Sequence, residues 1–277
     1  MLCRLLDLPA SSFYYGSKPI PDDPVRDELE TIATEFPRYG YRRITAELRR
    51  RDFPVNAKRV RRLMHEADLV VQVRRMVETS ICRPDLGDWP NLVKTLEIVH
   101  PNQAWAADIT YIKVKHEFVY LAVLIDLYTR AIRGWYLDRD LSAELTHRAL
   151  DQALAEHGPP AIHHSDHGVQ YLCKSYVAKL RSHHVAISTS AKGKPTQNGI
   201  CERLMRTLKE EEVSLSEYWD LEEARSRIGY FLDDVYMHKR VHSALGYRTP
   251  AEFEDAFEKE SRTRTKARGE TPGSKTK

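Results

Sequence analysis

Three acidic residues lie in segments where a carboxylate needs a chemical reason to be present. Asp108 interrupts the apolar run WAADITYI, Asp166 lies in HSDHGVQY, and Glu202 lies in KPTQNGICERLMRTLK. A carboxylate among apolar residues is costly without a cation, and Mg²⁺ prefers carboxylate oxygens as ligands. Two such ions about 4 Å apart can activate the attacking and the leaving oxygen of a phosphodiester. The pattern therefore predicts Asp108, Asp166 and Glu202 as metal-binding catalytic residues for phosphoryl transfer on nucleic acid.

Other potential ligands in the same part of the chain are weaker candidates. Asp126, Asp138 and Asp140 are rival acids, but Asp126 ends an apolar run before a polar segment, which favours a role in a hairpin turn. The four cysteines form no CxxC pair, which argues against a disulfide framework or a cysteine zinc site. Five histidines lack partner cysteines and HExxH spacing, so structural zinc is not favoured: His163, His164, His167, His183 and His184.

Positive charge accompanies the acids and also forms blocks of its own. Arg206 and Lys209 follow Glu202 by four and seven residues, so a helix places all three on one face, where phosphates would pass. Residues 38–75 carry 12 basic and 4 acidic side chains, and residues 259–277 carry 7 and 2. The whole chain has a formal net charge of only +3. This uneven distribution indicates a polyanionic partner.

The basic block has the pattern of short helices. Apolar spacing from Pro24 predicts one helix that ends at Pro37, a second covers about 42–51, and Asn56 caps a third. Two short helices joined by a tight turn, the second of them basic, indicate a helix-turn-helix, although a three-helix bundle with a basic exterior has the same pattern. The predicted DNA-contacting residues of the third helix are Lys58, Arg59, Arg61 and Arg62.

The larger block predicts an α/β fold. Strands are predicted at 105–115, 118–127, 131–138, 161–164 and 185–188, and helices at 142–157, 170–183 and 198–214. Short connections make the first three strands antiparallel neighbours. Three strands, helix, strand, helix, strand, helix is the order of the ribonuclease H-like fold. The predicted fold class is thus a ribonuclease H-like α/β catalytic core with a small all-α, helix-turn-helix-like N-terminal domain.

Five segments follow from these patterns. They are a partial helical segment at 1–21, the basic domain at 22–72, a linker at 73–100, the catalytic core with C-terminal helices at 101–258, and a disordered basic tail at 259–277. No apolar run approaches the roughly 18 residues that a membrane helix needs, and the N-terminus lacks the features of a signal peptide. The sequence therefore predicts a soluble protein of the cytoplasm with no membrane partner.

Four motifs in order resemble one protein family. WAADITYI, HSDHGVQY, KPTQNGICERLMRTLK and HSALGYRTPAEF are similar to motifs of bacterial insertion-sequence transposases with a retroviral-integrase-type DDE core, in particular the IS-three group, OrfB type. The resemblance extends to about Phe257. It assigns the family's acidic triad to the three acids above, its helix cation to Lys209, and a DNA-contacting loop to the region of Asn198. Ala107 and Met237 depart from the family's pattern without touching the triad.

The resemblance also implies an activity and partners. It implies two Mg²⁺ ions, replaceable by Mn²⁺, cleavage that leaves a 3′-OH at the transposon end, and strand transfer through a circular intermediate into target DNA. The implied partners are double-stranded transposon ends and target, further copies of the chain on DNA, and an upstream-frame fusion partner, in the bacterial cytoplasm at the nucleoid. Two alternatives stay open, a structure-specific nuclease of the same fold and a catalytically inactive DNA-binding regulator.

Overall fold

The structure is a computed structural model that describes residues 24–69, 89–190 and 198–269. The chain divides into two units, Met1–Gln72 and Val73–Lys277. The predicted segment 1–21 and most of the predicted linker lie outside the described residues. In the part of the chain that is described, no helix has the length and apolar character needed to cross a bilayer.

The first unit contains three helices with one shared core. They are α1 (Pro24–Glu35), α2 (Tyr41–Arg50) and α3 (Ala57–Glu66). Each helix buries apolar residues three or four positions apart, namely Val25, Leu29, Ile32, Ile44, Leu48, Val60, Leu63 and Met64. The side chain of Asn56 accepts a hydrogen bond from the amide of Arg59 at 2.8 Å, which confirms the predicted cap of α3.

The second unit is built on one mixed sheet. Its strands are β1 (Ala104–Lys113), β2 (Phe118–Asp126), β3 (Ile132–Asp138), β4 (Ile162–Ser165) and β5 (Ala186–Thr189). The spatial order is β3-β2-β1-β4-β5, with β1, β2 and β3 antiparallel and with β4 and β5 parallel to β1. This arrangement confirms the predicted ribonuclease H-like fold class and the predicted antiparallel hairpins.

Helices cover both faces of this sheet. They are α4 (Ala143–His157), α5 (Val169–Leu172), α6 (Lys174–Ser182), α7 (Gly199–Glu211), α8 (Leu221–Tyr230), a π-helix (Phe231–Lys239) and α9 (Pro250–Gly269). Leu121, Val123 and Ile125 of β2 pack towards α7 and α8, whereas Ala122 and Leu124 pack towards α4 and α6. Burial on both faces explains the continuous apolar run of β2.

The helices differ from the predicted ones in three places. The predicted helix at 170–183 is interrupted at Cys173, whose extended backbone (φ −65°, ψ 149°) separates α5 from α6. The predicted helix at 198–214 ends at Glu211. The prediction of disorder at 259–277 is wrong for 259–269, which continue α9. The composition of this segment did not predict the extension. Helix is favoured there by an ion pair of 3.1 Å between Arg262 and Glu258 and by the absence of Pro and Gly from the interior of α9.

Asp126 has the predicted turn role. It is fully buried after β2, and its Oδ1 accepts hydrogen bonds from the amides of Tyr128 and Thr129 at 2.8 and 2.9 Å. Its Oδ2 accepts from the amide of Asn102 at 2.7 Å and from the guanidinium of Arg133 at 3.2 Å. Asp126 therefore closes the β2–β3 hairpin and neutralises a buried arginine, and it is not a rival ligand for a metal.

Asp126→Ala is expected to lower the free energy of unfolding by about 3–5 kcal/mol, because it leaves the charge of Arg133 buried with one partner fewer and four donors without their acceptor. Chemical denaturation of the full chain measures the loss. Asp140→Ala, at an exposed position, is the control and should change stability by less than about 0.5 kcal/mol. Equal stability of the two variants would contradict the structural role of Asp126.

Candidate active site

Strand pairing brings the first two acids together. Asp108 lies within β1 and Asp166 directly follows β4. The two strands are parallel neighbours, and their last paired residues are Ala106 and His164, so each acid lies two residues beyond the same pair. Because side chains alternate along a strand, Asp108 lies on the face of Ala106, which packs against α7. Glu202 is in the first turn of that helix.

Asp166 and Glu202 are both within electrostatic reach of Asp108. Burial, together with the negative charges of Asp166 and Glu202, raises the pKa of Asp108 to about 7. The amide of Ile109, which donates to Asp108 Oδ1 at 2.9 Å, and the ammonium of Lys209 act in the opposite direction. Asp108 thus lies among like charges that leave its ionised form poorly compensated.

A tight turn holds Asp166. Its Oδ1 accepts a hydrogen bond from the amide of Gly168 at 2.9 Å. Burial raises the pKa of Asp166, while the Gly168 amide and the nearby His167 lower it. A methyl group at Gly168 would lie 2.8 Å from Asp166 Oδ1, which is closer than van der Waals contact allows. The residue at 168 therefore sets where this carboxylate can lie.

A hydrogen bond joins the start of α7 to β1, the strand that carries Asp108. The side-chain amide of Asn198 donates to the carbonyl of Ala107 at 3.1 Å, and Asn198 is only 5% exposed. The amide nitrogen of Asn198 is thus bonded to β1, and the role of this residue in DNA contact stays a prediction.

The two predicted helix cations differ in their surroundings. Lys209 is partly buried, and its ammonium lies 4.5 Å from the centre of the Tyr111 ring. Burial lowers the pKa of Lys209, and the negative charge of Asp108 raises it, so the two groups are within electrostatic reach of each other. Arg206, one turn earlier, is exposed. Lys209 is thus part of the site, while Arg206 lies on its outer surface.

Two residues of the site are absent from the prediction. Gly168 and Tyr171 lie two and five residues after Asp166, within the same HSDHGVQY motif. The Asp-x-Gly spacing could have identified Gly168, because such sequences form tight turns that use the aspartate as an acceptor. No local pattern distinguishes Tyr171 from an ordinary core aromatic residue.

The histidines of β4 serve the core. His163 is buried, burial lowers its pKa to about 3, and its Nε2 lies 3.0 Å from the hydroxyl of Tyr176. His164 makes hydrogen bonds of 2.8 Å with Ser188 and 3.3 Å with Ser190. His163 therefore joins β4 to α6, and His164 joins β4 to β5 and to the residue that follows it.

The donor set of the site suits a hard divalent cation. As the side chains stand, no group of three or more His, Cys, Asp or Glu residues within 24–69, 89–190 and 198–269 is arranged to hold a metal ion. The acids nevertheless offer carboxylate oxygens, and Asp108 lacks sufficient positive charge around it. Seven polar side-chain atoms are buried without a hydrogen-bond partner within the described ranges, and three of them belong to the HSDHGVQY motif or the start of α7, namely His167 Nδ1, Tyr171 Oη and Asn198 Oδ1. Such groups fit an ion that arrives with bound water.

The first unit has its own basic surface. Lys58, Arg61 and Arg62 of α3 are exposed, and Arg59 is partly buried beside its cap. The guanidinium groups of Arg42 and Arg61 lie 5.5 and 5.9 Å from the centre of the Tyr41 ring. Arg62 makes an exposed ion pair of 3.6 Å with Glu66, which contributes little to stability. These cations are available to an anionic partner.

Gly168→Ala is expected to reduce the rate of the phosphoryl transfer predicted from the sequence by about 10–100-fold, because a displacement of Asp166 by a fraction of an ångström disturbs the reacting geometry. The midpoint of thermal unfolding should stay near that of the unaltered chain, since the atom that must move is the end of a flexible side chain. Gly40→Ala is the control, since its added methyl group meets nothing within 4 Å. An unaltered rate for Gly168→Ala would show that the position of Asp166 is not critical.

Family models match most of the chain. Residues 99–195 and 183–250 match models described as "Integrase core domain", and residues 21–77 match a model described as "HTH-like domain". The chain is 35% identical to the transposase for insertion sequence element IS904 of Lactococcus lactis, over 78% of this chain and 87% of that protein. It is 32% identical to the 31 kDa protein of insertion element IS600 of Shigella sonnei, over 92% of this chain and 98% of that protein.

A further relative and two solved structures resemble the chain. Transposase InsF for insertion sequence IS3A of Escherichia coli is 34% identical over 79% of this chain and 77% of its own length. A simian T-cell lymphotropic virus intasome aligns with a TM-score of 0.48 at 18% identity, over 84% of this chain and 74% of that one. The HTLV-2 integrase catalytic core domain in complex with magnesium aligns with a TM-score of 0.43 at 21% identity, over 56% of this chain and 97% of that domain.

Proposed function

Because the chain belongs to the IS3-family transposases of bacterial insertion sequences, we propose that Asp108, Asp166 and Glu202 form the catalytic centre of its DNA transposition reaction. The assignment is supported by the electrostatic effect on Asp108, in β1, of Asp166 in the turn after β4 and of Glu202 in the first turn of α7. Carboxylates gathered against their mutual repulsion indicate a site built for a cation.

The reaction proposed for this centre has two steps. Water attacks the phosphodiester at the transposon end, so that the P–O3′ bond to the element breaks in a hydrolysis that leaves a free 3′-OH. That 3′-OH then attacks a second phosphodiester, forming a new P–O bond while the 3′ oxygen of the attacked strand leaves. The first joining is between the element's own ends, which gives a circular intermediate, and a later joining inserts it into target DNA.

Two divalent ions, Mg²⁺ with Mn²⁺ as a substitute, fit the carboxylates of Asp108, Asp166 and Glu202. When bound, they would offset the charge that develops on the attacking and leaving oxygens. The other residues position these carboxylates and the substrate. Gly168 holds Asp166 through its amide, and Lys209 supplies a cation for the phosphate at the reacting end.

DNA is held by separate surfaces in this proposal. The exposed cations of α3 contact the phosphate backbone of the transposon ends, and Arg206 extends the positive surface beside the catalytic centre. Further copies of the chain assemble on the two ends and the target, and an upstream-frame product fused to the chain completes end recognition. The reaction takes place in the bacterial cytoplasm, on DNA of the nucleoid.

A strand-transfer assay tests the proposal. The full chain is incubated with a labelled duplex of its element's end sequence and Mg²⁺, with EDTA as the control. Products longer than the substrate strand, joined through its 3′ end, are expected only with metal. Cleavage without joining would favour a structure-specific nuclease of the same fold. DNA binding without either product, also when the upstream-frame product is supplied, would favour a regulator.

A further inference from the structure

Two large aromatic rings near the β1–β2 hairpin are exposed and contact each other. Tyr111 on β1 is 55% exposed, and Phe118 on β2 is 52% exposed. The ring centroids are 5.8 Å apart, and the rings meet edge to face at 78°. A single exposed apolar residue needs no explanation, but a contacting pair of rings with half of its surface in water indicates a surface for a partner.

The strand register places these rings relative to the acids. Lys113 of β1 is the cross-strand partner of Phe118, and Tyr111 is two residues before Lys113, so Tyr111 and Phe118 are diagonal neighbours on one face of the sheet. Asp108, three residues before Tyr111, points to the other face. The Cα atoms of Asp108 and Tyr111 are about 10 Å apart along the strand.

Lys209 connects the two faces. Among the described residues, the pairing of β1 with β4 ends at Ala106 and His164, so the following part of β1 has an open edge on that side. Lys209 belongs to α7, which packs on the face of Asp108, yet its ammonium lies 4.5 Å from the centre of the Tyr111 ring. The charge of Asp108 raises the pKa of Lys209. One cation is therefore near both the carboxylate and the exposed ring.

The charges around the rings favour nucleic acid over a protein partner. Lys113 and Lys115 are exposed, and the ammonium of Lys115 lies 3.4 Å from the centre of the Trp219 ring. The acidic residue of the hairpin, Glu117, forms an ion pair of 3.0 Å with Arg139. Lysine is depleted at protein–protein interfaces, whereas cations interspersed with exposed aromatic rings are typical of surfaces that bind single-stranded nucleic acid.

The contact between Lys209 and Tyr111 can be exchanged for contacts with DNA. An ammonium above an exposed ring is held weakly, whereas its charge-assisted hydrogen bond to a phosphate is strong. A phosphate near the acids would therefore draw Lys209 away from the ring and leave the face of Tyr111 open. A base can occupy that face only where neighbouring bases do not cover its own, as in an unpaired nucleotide.

We propose that Tyr111, supported by Phe118, is a stacking platform for an unpaired base close to the reacting phosphate, and that Lys209 holds the phosphate of that nucleotide. The inference rests on the proposed function, since it takes Asp108 to mark the position of the reacting phosphate. It predicts that the protein prefers a DNA end with unpaired bases and that the aromatic ring at position 111 is the source of this preference.

The test measures binding of the full chain to two duplexes of its element's end sequence, in EDTA so that no strand is cut. One duplex is fully paired, and in the other mismatches leave the terminal bases unpaired. The unaltered chain should bind the unpaired end more tightly. Tyr111→Ala should weaken binding of that end about 10-fold, the usual loss of one stacked base, and bind both duplexes equally. Tyr111→Phe keeps the ring and should keep the preference.

Tyr230→Ala is the matched control. Tyr230, in α8, is 53% exposed, and the ammonium of Lys239 lies 4.9 Å from the centre of its ring. It therefore shares the exposure and the nearby cation of Tyr111 but not the position beside Asp108. Tyr230→Ala should bind both duplexes as the unaltered chain does.

A joining assay with Mg²⁺ on the same proteins separates two kinds of failure. If the unaltered chain joins strands but shows no preference for the unpaired end, or if Tyr111→Ala keeps that preference, the inference is overturned and the proposed function stands. Equal losses in Tyr111→Ala and Tyr230→Ala, or in Tyr111→Ala and Tyr111→Phe, would also overturn it. A preference that depends on the ring, without joining, would leave the stacking surface in place and remove the proposed function.

Discussion

Asp108→Asn is expected to lower the rates of both cleavage and joining by about 10³-fold or more. The substitution keeps the shape of the side chain and removes the charge that holds a cation at the reacting phosphate. Metal ions contribute several kcal/mol to this kind of transition state, and each 1.36 kcal/mol is a factor of ten in rate. Both steps should fail together, because one set of carboxylates serves both.

Two further measurements distinguish a lost catalytic charge from a damaged protein. Affinity for end DNA should stay within about twofold of the unaltered chain, since phosphate contacts from Lys and Arg dominate it. The metal-free variant should unfold at a higher temperature, because burial and the charges of Asp166 and Glu202 disfavour the ionised form of Asp108.

Asp140→Asn is the matched control for this prediction. Asp140 is an exposed acid that follows β3, and its replacement should leave cleavage and joining at the rates of the unaltered chain. Near-normal joining by Asp108→Asn would remove the proposed mechanism. A loss of activity accompanied by loss of thermal stability would instead point to a structural role for Asp108.

Reversing charge at Arg61 and Arg62 is expected to reduce affinity for end DNA by about 100-fold near 0.1 M salt. Each lost phosphate contact lowers the slope of log affinity against log salt concentration by about 0.9, so the double variant Arg61→Glu, Arg62→Glu should flatten the slope by about two. Both side chains are exposed on α3, so the packing of Val60, Leu63 and Met64 stays intact. A binding series from low to high salt measures both quantities.

The double variant Arg26→Glu, Arg148→Glu serves as the control, because it changes the net charge equally. Each of these arginines is exposed and pairs only weakly with a glutamate on its own helix. Its salt slope should match that of the unaltered chain. If reversal at Arg61 and Arg62 also leaves the slope unchanged, α3 is a solvated surface and the DNA is held by the second unit.

Features that depend on nearby residues were predictable from the sequence. The apolar spacing of α1, the cap at Asn56 and the turn at Asp126 follow from side chains only a few positions apart, and the structure has each of them. The antiparallel pairing of β1 with β2 and of β2 with β3 followed as well, because short connections favour that geometry.

Other features depend on residues far apart in the chain, which local patterns cannot specify. The local sequence predicts that Asn198 is a loop or cap residue. In the structure its side chain is buried and hydrogen-bonded to Ala107, 91 positions earlier. The break at Cys173 is likewise invisible in a segment whose apolar spacing suits one helix. At both positions, tertiary packing overrode the structure that the local sequence favours.

The sequence by itself determined most of the elements, the fold class and the choice of Asp108 over Asp126, because periodicity, turn chemistry and the high cost of a mid-strand carboxylate are local properties. The tertiary structure decided how the acids meet, since pairing of β1 with β4 and packing of α7 on β1 join segments up to about a hundred residues apart. It also decided that Gly168 limits the position of Asp166 and that Tyr171 carries a hydroxyl without a partner. Steric contact and hydrogen-bond satisfaction are properties of neighbours in space, and only the folded chain specifies those neighbours.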